Sequence, residues 1–84
     1  MLPLDMPIVV EARFESDGAI LPLRFTMLGR QHAVLSVGRS WDVEGEGRHI
    51  LVMAAPDRVY ELLLRTPDLG WRVIAMSHAE EGVA

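Results

Sequence analysis

The sequence predicts an all-β fold: about six short antiparallel strands in a meander, forming a small barrel or a strongly bent sheet. Three observations carry that prediction. Apolar and polar residues alternate with a period of two through several segments. Turn signals rich in Gly, Pro and Asp separate those segments at short intervals. Half of the 84 residues are apolar, which supports a packed core in a chain too short to divide into domains.

Each element has its own justification. In IVVEARFE, Ile8, Val10, Ala12 and Phe14 share one face, with Glu11, Arg13 and Glu15 on the other. Asp17-Gly18 follows as a hairpin signal. AILPLRFTM alternates again, setting Leu21, Leu23, Phe25 and Met27 against Pro22, Arg24 and Thr26. Pro22 has no N–H for a ladder, so this strand is expected to lie at an edge or to bend near its start. A turn at Gly29 leads into RQHAVLSVGRSWDVE, long for one strand, where Gly38 marks a bulge or sharp bend.

GEG makes the next turn, and RHILVMAA, apolar on both faces, reads as a central strand. Pro56-Asp57 begins another turn, and RVYELLLRT and GWRVIAMS are strands on either side of Pro67-Asp68-Leu69-Gly70. RVYELLLRT also has the composition of a helix, but Thr66-Pro67 would stop it within three turns, which favours a strand. The expected ordered core is a single domain over about 8–77, with flexible termini at 1–7 and 78–84.

Composition narrows the function. With no cysteine, a disulfide framework and thiolate chemistry are excluded, so packing or oligomerisation must stabilise so small a domain. All eight basic residues are Arg, Asn is absent, and Gln occurs once, which fits a high-GC or heat-adapted source. Three of the twelve acids, Asp5, Glu80 and Glu81, lie near the ends, leaving the central segment nearly neutral, without a basic field to draw in nucleic acid. The N-terminal MLPLDMP has no basic region resembling a secretory signal, and no apolar run is long enough for a membrane span, so a cytoplasmic location is expected. The large apolar share of a small sheet protein points to a homodimer that covers part of it.

The histidines His32, His49 and His78 show no metal-ligand spacing, and no cofactor or metal is expected. If Gly45-Glu46 form a two-residue hairpin tip, Asp42 faces His49, Trp41 faces Ile50 and Val43 faces Arg48. An Asp–His pair resembles half of a catalytic triad. Ser36 and Ser40 lack any nucleophile motif, so the pair is read as a cross-strand contact. The GEG glycines match no phosphate-binding loop and are read as turn residues. Arg30, Arg39, Trp41 and Arg48 are the candidates for nucleic-acid or partner contact, since an aromatic beside Arg suits single-strand binding. In an unbroken strand Trp41 shares a face with Leu35 and Val37 and is expected in the core, whereas a bulge at Gly38 reverses its facing. The alternating Arg and Glu of Glu11, Arg13, Glu15, Arg24, Glu61, Arg65 and Arg72 read as an outer polar face with cross-strand ion pairs.

Pro22, Phe25, Gly29, Arg30, Arg39, Trp41, Tyr60, Glu61, Leu62 and Trp71 give the chain a pattern. It runs through a Pro-x-x-Phe strand, a Gly-Arg turn, an Arg-x-Trp strand end, a Tyr-Glu-Leu strand and a last strand bearing Trp. This resembles a small bacterial all-β domain family, some members of which occur beside Y-family (translesion) DNA polymerase proteins. The resemblance covers most of the chain and implies a DNA-damage context, without an established activity or site to carry over. Two functions are therefore expected to compete. The first is a non-enzymatic accessory or interaction module acting through protein contacts as a homo-oligomer. The second is a nucleic-acid-binding accessory factor in a translesion-synthesis context.

Overall fold

The computed structural model describes residues 1–54 and 57–78. Its elements are six strands: β1 (Leu2–Phe14), β2 (Ile20–Met27), β3 (Arg30–Val43), β4 (Gly47–Ala54), β5 (Arg58–Arg65) and β6 (Trp71–His78). Each pairs antiparallel with the next, and β6 returns to β1, closing a barrel in the order β1-β2-β3-β4-β5-β6. The expected all-β meander forms, and 58–65 is a strand rather than a helix. No helix in the described residues is long and apolar enough to cross a membrane.

The core follows from the alternation of β4 and β5. Ile50, Val52 and Ala54 point inward from β4, and Tyr60 and Leu62 from β5, meeting Val73, Phe25 and Ile8. Phe25, Ile50, Leu62 and Val73 are completely buried, and each burial contributes about 1.5–3 kcal/mol of transfer free energy. Phe25 meets Tyr60 edge to face at 5.1 Å, and His32 stacks on Phe25 at 5.0 Å.

The first strand begins earlier than expected. Leu2 pairs with Met76 and Pro7 with Arg72, so residues 2–7 belong to the barrel instead of a flexible terminus. Pro3 and Pro7 broke the alternation that would have revealed the strand. Both lie on a stretch paired only with β6, and prolines are tolerated at such an edge. Of the tail expected at 78–84, His78 ends β6, while 79–84 and the Pro56 half of the Pro56-Asp57 turn lie outside the described residues.

A second correction concerns β2. Glu11 pairs with Arg24 but Ala12 with Pro22, which leaves Leu23 without a partner. The extra residue moves the side chains before it to the other face. Pro22 is therefore buried and Leu23 is 40% exposed, although Leu21, Leu23, Phe25 and Met27 read as one face. The bend expected at Pro22 is present here.

Closure of the barrel is uneven. The β2–β3 ladder joins only Arg24–Met27 to Arg30–Ala33. Beyond it Ile20–Pro22 stays with β1, while Val34–Val43 turns away to pair with β4. The strand β3 is thus a corner, and past Ala33 no strand lies on its β2 side among the described residues.

Candidate functional site

The β3–β4 hairpin carries most of the predicted contact residues. Its loop is Glu44-Gly45-Glu46, with Val43 paired to Gly47. The Glu46 N–H donates to the Val43 carbonyl at 3.0 Å, and Gly45 has φ 80°. This is a type II turn, which needs a positive φ at its third residue. Gly47 has φ 144°, and a Cβ there would lie 2.0 Å from the Leu64 carbonyl oxygen, so only glycine fits.

That three-residue loop moves the expected register by one. Trp41 faces His49 and Asp42 faces Arg48, so the anticipated Asp42–His49 pair does not exist. Asp42 instead accepts from Arg48 Nε at 2.7 Å and from Nη2 at 3.1 Å. The hydrogen bond from Arg48 holds the Asp42 carboxyl below its usual range. Arg48 Nη1 also donates to the Gly18 carbonyl at 2.7 Å, tying the β1–β2 turn to β4.

The facing of Trp41 follows from bulges in β3. Its register with β4 shifts between Val34 and Ser36 and again between Val37 and Ser40, around the predicted Gly38. Val37 opposes Val52 and points inward, while Trp41 opposes His49 on the outer side of β4. The expectation of a core Trp41 is thus overturned, because the Gly38 bulge reverses the side chains beyond it. The indole lies parallel to the His49 imidazole, with centroids 5.2 Å apart, and Arg39 Cζ is 5.0 Å from the indole centroid.

His49 is only 5% exposed beneath this stack. Its Nδ1 is 2.8 Å from Glu61 Oε2, which orients the ring. Nε2 lies 3.2 Å from Glu46 Oε1 but out of line, and so makes no hydrogen bond. No group of three or more His, Cys, Asp or Glu able to hold a metal occurs among the described residues.

Of the four predicted contact residues, the fold unites Arg39 and Trp41. Arg48 is occupied by Asp42 and Gly18. Arg30 stands at the β2–β3 turn, at the other end of β3. There His32 is pushed below the usual histidine range, first by burial and then by Arg30 and Arg58. Of the expected cross-strand ion pairs Arg24–Glu11 forms, at 3.0 Å, while Arg13 pairs at 2.8 Å with Glu15, two residues along its own chain segment.

A second feature escaped the sequence reading. The β1–β2, β3–β4 and β5–β6 turns gather at one barrel end around a concave mouth of about 650 Å³. Phe14, Ile20, Val43, Leu64 and Leu69 give it an apolar lining. Phe14 is 66% and Leu69 72% exposed, large apolar side chains facing solvent. Leu69 reads in the sequence only as a turn residue, and Phe14 only as a member of the Ile8, Val10 and Ala12 face.

Comparison of the chain with protein-family models, curated proteins and solved structures found no match.

Proposed function

We propose that this protein is a non-enzymatic contact module that works as a homodimer and offers its apolar mouth to a protein partner. The observation that carries the reading is the cluster of Phe14, Val43 and Leu69, all exposed at one end of the barrel. Water-exposed side chains of this size mark interaction surfaces when they are contiguous. The mouth has the volume of a binding pocket and a mostly apolar surface, with Glu15, Glu44 and Arg65 at its rim, so it suits an apolar anchor from another protein. Dimerisation would give this thin-cored domain the extra burial that its size calls for.

The test is size-exclusion chromatography with light scattering at micromolar concentration, beside binding of an apolar fluorescent dye. The reading expects a dimer and a dye site lost in Phe14→Ser/Leu69→Ser. A monomer with no dye site would end it.

One observation favours a second reading. Trp41 faces outward with Arg39 over its ring, an arrangement that supports stacking of a nucleic-acid base. The family resemblance to domains found beside translesion polymerases gives that reading a DNA-damage context. The indole is already engaged by His49 and Arg39, and Arg48 is neutralised by Asp42, which makes it the weaker of the two. It expects salt-sensitive quenching of Trp fluorescence by single-stranded oligonucleotides, with loss of binding in Arg39→Ala. Constant fluorescence at low salt would remove it.

A further inference from the structure

We infer that the mouth takes a cationic segment of a partner protein, with an apolar side chain seated inside and flanking Arg or Lys against the rim. The inference rests on reading the mouth as a docking site and adds the chemistry of what docks there.

Charge supplies the first argument. Residues 13–18, 42–48 and 65–69, which form the three turns around the mouth and the strand ends beside them, carry six carboxylates and three arginines. They hold three of the four net negative charges of the chain. Their arginines are already engaged. Arg13 is held by Glu15 at 2.8 Å, Arg48 by Asp42 at 2.7 Å, and Arg65 lies 3.7 Å from Asp68. Asp17, Glu44 and Glu46 are exposed, and no arginine pairs with them among the described residues. The mouth end is therefore acidic, and its surplus is open to an incoming cation.

The sign of that surplus decides between occupants. An apolar interior inside a charged ring lets the buried side chain supply affinity while the ring selects the partner. The mouth of a second copy, a nucleic-acid backbone and an anionic lipid surface all bring like charge to the rim. A segment bearing Arg or Lys beside its apolar anchor complements both the ring and the Phe14, Val43, Leu64 and Leu69 lining.

Leu69 supplies the second argument. Its φ is 58° and its side chain is 72% exposed. Left-handed backbone costs a leucine about 1–2 kcal/mol, which Asn or Gly would largely avoid, and so exposed a side chain gains little packing in return. The turn has no use for leucine at this position. An anchor seated in the mouth does, because it would bury Leu69.

The experiment selects binders to the wild-type protein from a random-peptide display library and measures the Kd of the enriched peptides by fluorescence anisotropy. Each is measured on wild type, on Leu69→Asn and on the neutralised variant Asp17→Asn/Glu44→Gln/Glu46→Gln, with melting temperature as a check on the fold. Asn suits a positive φ, so Leu69→Asn should fold. The expected peptides carry an apolar residue flanked by more Arg and Lys than Asp and Glu. Their Kd should rise about tenfold or more in Leu69→Asn and about fivefold in the neutralised variant. It should also rise between about 50 mM and about 500 mM salt, as the rim is screened. If the neutralised variant does not fold, the salt series decides. Peptides that need Leu69 but lack a basic excess, or bind equally at both salt levels, overturn the cationic partner while leaving the mouth as a docking site. If no enriched peptide depends on Leu69, the docking site itself is overturned.

Discussion

Trp41 lies flat on His49, ring centroids 5.2 Å apart and planes within 7°, on the outside of the barrel. A surface stack of this kind contributes about 0.5–1.5 kcal/mol beyond its buried area, whereas truncating a core Trp costs about 3–5 kcal/mol. Trp41→Ala is therefore expected to keep the fold and lose about 1–2 kcal/mol in urea unfolding. A loss of about 4 kcal/mol or more would return Trp41 to the core.

Gly47 is the glycine the barrel depends on most. In Gly47→Ala the new Cβ would collide with the Leu64 carbonyl at 2.0 Å, from a backbone at φ 144°. Neither atom belongs to a flexible side chain, so the β4–β5 ladder must open. The expected loss is about 3 kcal/mol or more, read as a fall in the denaturant midpoint. Gly38→Ala should fall by less than about 1 kcal/mol, because its Cβ has room.

Leu28 is expected to yield a gain. Met27 pairs with Arg30, so Leu28-Gly29 form a two-residue hairpin loop, with φ 52° and 76°. Both values belong to a type I′ turn, whose first position prefers Asn over a bulky side chain. Leu28 is 77% exposed and gives up little packing. Leu28→Asn should raise stability by about 1 kcal/mol, visible as a higher melting temperature.

The lowered pKa of His32 has a signed consequence. Burial, with Arg30 and Arg58 nearby, disfavours its charged form in the folded state. The unfolded chain then binds more protons once the pH drops below the ordinary value of 6.5. The stabilisation is present above that value and is lost as the pH falls toward the lower folded value. His32→Phe keeps an aromatic against Phe25 but cannot titrate. Its melting temperature should therefore fall less than that of wild type between pH 7.5 and pH 5.5, a window of about two units around histidine titration. Equal falls would contradict the assignment.

Much of the fold was legible because local signals agreed. Asp17-Gly18, Gly29 and the Pro67–Gly70 turn bound alternating runs, and β4, apolar on both faces over Ile50–Ala54, announced a central strand. What stayed hidden was counting. An extra residue at Leu23 sent Pro22 inward, and the shift between Val37 and Ser40, to which Gly38 pointed, sent Trp41 outward. A bulge depends on how the partner strand bends, which alternation within one strand does not encode. The hairpin tip failed for a related reason: Gly45-Glu46 and Glu44-Gly45-Glu46 are both credible loops, and the choice decides whether Asp42 meets His49 or Arg48. The mouth required three turns far apart in sequence to meet, which no local pattern announces.

Small-angle X-ray scattering at micromolar concentration decides whether the protein is a homodimer, because it returns mass and shape together. A homodimer scatters as a particle of twice the 9.4 kDa chain mass. Its radius of gyration should lie well above the 12.3 Å of one barrel. A particle of single-chain mass with a radius near that of one barrel would contradict it.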